Sequence, residues 1–151
     1  DPGMFVGDVG QGKVCTIPWD LGGQYRALGH PVHSLLFKGA VEGLLGAGSR
    51  VRTNAPELVE ISHRGGADKT FEWVSLINHS GQYGNAVYAP MPLRDVTIEI
   101  LPRVPNIAGV RLLHAGHPAE YEMDADGRVR VTIPKLSHYE VVLLEYPKRL
   151  P

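Results

Sequence analysis

Residues 13–25, KVCTIPWDLGGQY, decide how this chain is read. An apolar run ends in Pro18-Trp19-Asp20 and a Gly-Gly pair follows, the order of a strand that delivers Trp19 and Asp20 to a sheet edge and then turns. Residues 33–45, HSLLFKGAVEGLL, then place apolar side chains near helical spacing. Working outward, the first fifty residues contain one strand, one loop and one helix, which cannot close a core alone. They read as a partial α/β unit. Its helix, at 34–45, carries Leu35, Leu36, Ala40, Val41, Leu44 and Leu45, too many apolar positions for one narrow stripe, so it calls for cover from more than one side. The glycines of GDVGQGK at 7–13 precede the strand instead of following it, so they read as a turn entering it and not as a phosphate loop.

The rest of the chain changes period. In residues 46–56, GAGSRVRTNAP, Gly46 and Gly48 suit a left-handed helix end, and Asn54 with Pro56 suits an extended connector. The domain boundary falls there, giving 1–50 and 51–151, with the segment from residue 57 onward expected to fold as the stable part. Val59, Ile61 and His63 alternate with Glu60, Ser62 and Arg64; Val96, Ile98 and Ile100 alternate with Thr97 and Glu99. FEWVSLINH at 71–79 and YEVVLLEY at 139–146 are apolar on both faces, as central strands are. Trp73 is assigned to the core with Phe71 and Ile77, which share its face. Asp126-Gly127, between EYEM and RVRVTI, supplies the chemistry of a tight hairpin turn. Further strands at 110–113 and 119–123 bring the total to about seven. The expected fold is mainly β: an antiparallel sandwich or barrel, preceded by the partial α/β unit.

Composition bounds the function. Glycine at 18 and proline at 12 of 151 residues exceed the usual shares of roughly 7% and 5%, and their spread between apolar runs implies many turns. A net charge of −1 offers no general attraction for nucleic acid or an anionic membrane, and neither is an expected partner. No apolar stretch approaches the roughly 20 residues needed to span a bilayer. The chain reads as soluble, its compartment open with the cytoplasm slightly favoured. The single Cys15 excludes an internal disulfide and a multi-cysteine metal site.

The chemical search yields no expected catalytic residue, metal ligand or cofactor. A glycosidase needs two carboxyl groups flanking the scissile bond. Asp20, Glu60, Glu72, Glu99 and Glu140 qualify by type only: Glu60 and Glu99 read as solvated strand residues, Glu72 and Glu140 as edge positions or partners of an arginine. His30 with His33, and His114 with His117, are spaced three apart but interrupted by Pro and Gly, without the partners of a zinc motif. Trp19, Asp20 and Tyr25 are the candidate ligand residues, since ligands gather at the carboxyl ends of strands and an indole with a carboxylate suits a sugar. The alternative role is local, with Trp19 packed under the loop and Asp20 capping backbone N–H groups.

The order GKVCTIPWDLGGQYRALGHPVH, VRTNAP, WVSLINHSG, PMPLRDVTIEI, VRLLHAG and LSHYEVVLLEY resembles the C-terminal region of bacterial glycoside hydrolase-like proteins. These are similar in layout to family 42 β-galactosidases, with a catalytic (β/α)8 barrel, an amidotransferase-like trimerisation domain and a small C-terminal β-domain. The resemblance implies that residues 1–50 end the trimerisation-like domain, that 51–151 form the β-domain, and that the catalytic barrel is absent from the chain. It transfers no nucleophile: Cys15 lies in mid-strand, where a free cysteine acts as a small hydrophobe, not at the strand-to-helix elbow of active amidotransferases. The implied function is a non-catalytic accessory or oligomerisation region of a multidomain glycoside hydrolase. Its partner is then the missing N-terminal part of the parent or a second copy. The alternative is a carbohydrate-binding sandwich using Trp73, Tyr83 or Tyr88.

Overall fold

A computed structural model of the chain describes residues 3–45 and 48–147. It divides into two compact units, Asp1–Ser49 and Arg50–Pro151.

In the first unit β1 (Phe5–Val9) pairs antiparallel with β2 (Gly12–Thr16), Val9 standing opposite Gly12. The two-residue connection needs a positive φ at its first position, and Gly10 supplies it at 60°. Two helices follow, α1 (Leu21–Leu28) and α2 (Pro31–Leu45). The expected strand and helix are therefore present, each beside a second element that the sequence reading did not separate. Gly22 and Gly23, read as a turn, lie in the first turn of α1. The reason is local: Asp20 is the N-cap, its Oδ1 accepting the Gly23 N–H at 2.8 Å, and a Cβ on Gly23 would fall 2.0 Å from the other carboxylate oxygen. Gly29 ends α1 in the left-handed conformation, donating to the Tyr25 carbonyl at 2.7 Å, and Pro31 opens α2 where its missing N–H costs nothing. The capping role expected of Gly46 falls outside the described residues; Gly48 takes a φ of 76°.

The second unit is a sandwich of two antiparallel sheets. Its strands are β3 (Val51–Thr53), β4 (Val59–Gly65), β5 (Phe71–Asn78), β6 (Gln82–Tyr83), β7 (Ala86–Val87), β8 (Leu93–Ile100), β9 (Gly109–Leu112), β10 (His117–Pro118), β11 (Tyr121–Met123), β12 (Val129–Leu136) and β13 (Tyr139–Glu145). One sheet has the order β10-β9-β13-β5-β4, the other β11-β12-β8-β3, and β6 with β7 forms a separate hairpin. Val74, Leu76, Val142 and Leu144 from the first sheet meet Ile98, Ile100, Val131 and Ile133 from the second, all fully buried. The strands 71–79 and 139–146 are central, as their composition required, and pair directly through Val74 and Val142.

Three particulars differ from the sequence reading. On β5 the inward residues are Glu72, Val74, Leu76 and Asn78, so Trp73 faces outward with Phe71 and Ile77 and is only half-buried. The face carrying more aromatic surface is not the core face, because register with Val142 and Leu144 of β13 sets the parity. The β11–β12 connection is a longer loop at 124–128 instead of a two-residue turn, with Asp124 Oδ1 accepting from the N–H groups of Asp126 and Arg128 and Gly127 at a φ of 75°. The sandwich also begins before residue 57: the Arg50 carbonyl accepts the Leu101 N–H at 2.7 Å, and β3 forms an edge against β8.

Candidate functional site

Of the three candidates from the sequence, Asp20 is engaged as the α1 cap. Trp19 donates its indole N–H to the Gly3 carbonyl at 3.0 Å and presents an edge to His33. Tyr25, half-exposed, lines a small cavity of about 370 Å³ with Leu21, His33, Ser34, Phe37 and Lys38. The structure thus brings Tyr25 to a cavity and gives Trp19 and Asp20 local partners.

The carboxylates divide by environment. Glu72 and Glu140 are buried on the central strands β5 and β13, so neither is an edge residue. Glu72 accepts from the Arg103 N–H at 2.9 Å and from the Tyr146 hydroxyl, lies 2.7 Å from His63 Nε2, and has the guanidinium groups of Arg50 and Arg103 at 3.6 and 3.9 Å. Burial pushes its carboxyl upward, but the hydrogen bonds from His63, Tyr146 and the Arg103 backbone outweigh it and hold the carboxyl below its usual value. Burial, and then the neighbouring Glu72 carboxylate, push the Tyr146 phenol up to about 12. Glu140 accepts three backbone N–H bonds, from His114, Ala115 and Val141, and so fixes the turn after β9. Glu60 is exposed beside His79, while Glu99 is paired with Arg130 at 2.7 Å. Arg130 belongs to a cross-strand row, Glu122-Arg130-Glu99-Arg52, over the outer face of the four-stranded sheet. Alternating charge of this kind stabilises neighbouring strands.

Of the histidine pairs, His114 lies beside the Tyr139 ring at 4.4 Å and His117 Nδ1 is 2.7 Å from the Pro118 carbonyl, while His30 Nδ1 accepts the Val32 N–H at 3.3 Å and His33 lies near the Trp19 and His30 rings with its Nδ1 buried and without a hydrogen-bond partner. Among the described residues no three His, Cys, Asp or Glu side chains come together to hold a metal ion. No helix among them is long and apolar enough to cross a membrane.

A concavity lies on the outer face of the five-stranded sheet, at the foot of the β6–β7 hairpin. It has a volume of about 770 Å³ and is lined by Ile77, His79, Gln82, Tyr88, His138 and Tyr139, among others. Ile77 and Tyr139 face each other in register on β5 and β13, and Tyr88 approaches from the returning loop. The sequence pointed to Tyr88 through its exposed glycine-rich loop, and Tyr83 beside it stands free of the cavity. Tyr139 was missed because YEVVLLEY reads as uniformly internal. The available signal was parity: Val142, Leu144 and Tyr146 point inward, so Tyr139 must point outward.

The architecture defines a class, an antiparallel β-sandwich preceded by a hairpin and two helices. Neither a family model nor a curated protein matches the sequence. Among solved structures, α-L-fucosidase isoenzyme 2 from Paenibacillus thiaminolyticus, a glycoside hydrolase, is similar in fold with a TM-score of 0.78 at 22% identity. The match covers 97% of this chain and 22% of the fucosidase, so this chain spans under a quarter of that protein's length. A cycloisomaltooligosaccharide glucanotransferase from Paenibacillus sp., solved with cycloisomaltoheptaose, matches 62% of this chain and 18% of its own at 18% identity, with a TM-score of 0.40.

Proposed function

We propose that this chain is a non-catalytic accessory region of a multidomain glycoside hydrolase, with the chemistry residing in another domain. The observation that carries the reading is the fold likeness to the fucosidase, which extends over both units of this chain yet takes in 22% of that enzyme. The fates of the carboxylates support it. Glu72 and Glu140 are hydrogen-bonded inside the sandwich, Glu99 is held by Arg130, and Glu120, just before β11, and Glu122, on it, are exposed. A general acid needs apolar, water-shielded surroundings that keep it protonated, and among the described residues no exposed pair has them.

In the finer form of this reading, the layout is that of family 42 β-galactosidases, with residues 1–50 closing a trimerisation-like domain and 51–151 forming the terminal β-domain. The first unit supports a partnered role: Val32, Leu35, Phe37 and Leu45 of α2 and Phe5, Val6 and Val9 of β1 all present apolar surface to water. Exposed apolar side chains in this number support a partnered surface. Its partner is the remainder of the parent protein or a second copy.

The test is turnover by the purified chain of nitrophenyl α-L-fucoside and nitrophenyl β-D-galactoside. Release should match the buffer blank. Release above it that disappears in Glu120→Gln or Glu122→Gln would overturn the reading.

A further inference from the structure

The cleft at the foot of the β6–β7 hairpin combines neutrality, exposed rings and fixed walls. None of its described lining residues is Lys, Arg, Asp or Glu. An anionic ligand would give up its hydration there without a paired cation, so phosphates, nucleic acids and acidic peptides are poor occupants. Tyr88, 65% exposed, and Tyr139, 47% exposed with the His114 ring beside it at 4.4 Å, both line the cleft and keep part of their ring surface in water. Beside the rings stand the Ser75 hydroxyl, the Gln82 amide and the His138 imidazole, groups that both donate and accept, and the His79 imidazole, whose Nε2 meets the exposed Glu60 carboxylate at 3.1 Å. A few convergent polar groups over an apolar floor is the general make-up of a small-molecule site. Rings that offer an apolar face next to such groups match a ligand whose C–H faces and hydroxyl edges alternate.

The walls are held in place without the ligand. Asn78, buried at the end of β5, donates from one amide nitrogen to the Met91 carbonyl at 2.8 Å and the Ser137 carbonyl at 2.9 Å. One bond reaches each wall. Its Oδ1 accepts the Ser80 N–H, and the Ser80 hydroxyl accepts the Met91 N–H at 2.9 Å. The loop neck then closes through Tyr88 N–H to the Gly81 carbonyl at 2.8 Å. Only glycine allows this approach, since a Cβ at position 81 would lie 2.2 Å from the Tyr88 carbonyl oxygen. Walls fixed in advance reduce the entropy lost on binding.

We infer that this cleft binds a pyranose ring of an uncharged glycan, stacked on Tyr88 and Tyr139. The site goes beyond the accessory reading and does not depend on it. The test is binding of the full chain to an array of neutral mono- to hexasaccharides, followed by calorimetric titration of the best binder, with galacturonic acid as the charged control. Saturable binding with a Kd of about millimolar or tighter is expected. Tyr88→Ala and Tyr139→Ala should each weaken it about tenfold in variants whose circular dichroism shows the sandwich still folded, and Tyr88→Phe should retain it. Absence of saturable binding to every neutral glycan, binding indifferent to both alanine variants, or preference for galacturonic acid overturns the inference. Those results leave the accessory reading standing, because turnover alone decides that.

Discussion

The Tyr146 hydroxyl donates a hydrogen bond to the Glu72 carboxylate inside the sandwich, where Glu72 has no exposure to water. Strand β5 delivers the carboxylate and the residue after β13 delivers the phenol, so the contact ties together two central strands beyond their backbone ladder. The Arg103 N–H approaches both, at 2.9 Å from the carboxylate and 3.0 Å from the phenol oxygen. His63 and the two guanidinium groups complete a shell that replaces the water a buried charge has lost.

Removing one member of that shell should be more harmful than its exposure to solvent suggests. Tyr146→Phe leaves a buried carboxylate short of a donor and should destabilise by about 1–3 kcal/mol. Glu72→Ala leaves the buried phenol without its acceptor, while the two arginines, 40% and 41% exposed, can turn to water, and it should cost about 1–3 kcal/mol. Urea unfolding of the two variants and their double mutant checks this: strict additivity would show that the two groups do not interact.

The same pair predicts opposite losses at the two ends of the pH scale. The carboxyl of Glu72 lies below its ordinary value of 4.5 in the folded chain, so its contribution is present above that value and is lost as pH falls through the lowered one. Tyr146 is raised from 10.0 to about 12, so its contribution is present below pH 10 and is lost as pH rises from there toward 12. Stability measured against pH should therefore decline on both sides. Glu72→Gln should flatten the acid limb and Tyr146→Phe the alkaline one.

Much of the sandwich was legible because β8 and β12 alternate cleanly, Val96, Ile98 and Ile100 inward against Thr97 and Glu99 outward. Strand β5 was legible as central but not in its facing. Its outward side carries Phe71, Trp73 and Ile77, while a glutamate and an asparagine sit on the core side, the reverse of the usual distribution. Only pairing partners resolve that, and they are remote in sequence. Helix α1 was illegible for a different reason. LGGQYRAL has poor helix propensity, and its start depends on the Asp20 carboxylate finding a glycine three residues on. In the cleft, Tyr88 could be found from its loop, whereas Asn78 and Tyr139 acquire their roles only when β5 and β13 are laid side by side.

Trp73 provides a direct check on that facing. It is half-buried on the outer face, opposite Arg64 and Leu143, whereas Leu76 is fully enclosed. Leu76→Ala should cost about 2–5 kcal/mol through lost burial and a residual cavity. Trp73→Ala should cost about 1–2 kcal/mol despite deleting a larger side chain, since much of its surface is already in contact with water. Thermal unfolding of both variants settles the order, and a larger loss for Trp73 would place it in the core after all.

The start of the sandwich can be located by truncation. A chain from Arg50 onward keeps the Arg50 guanidinium on the Leu101 carbonyl at 2.7 Å, its carbonyl accepting the Leu101 N–H at 2.7 Å, and β3 along the edge of β8. A chain from residue 57 onward loses all three. It also removes a cation 3.6 Å from the buried Glu72, weakening the shell that holds the charge there. Strand β8 would then end the sheet with unpaired backbone groups next to Ile98 and Ile100, an invitation to edge-to-edge association. The Arg50 chain should unfold in one cooperative transition that circular dichroism follows as loss of β structure. The shorter chain should unfold at lower urea and show concentration-dependent sedimentation. Equal stability of the two would mean that β3 and Arg50 contribute nothing to the sandwich and that its true edge is β8.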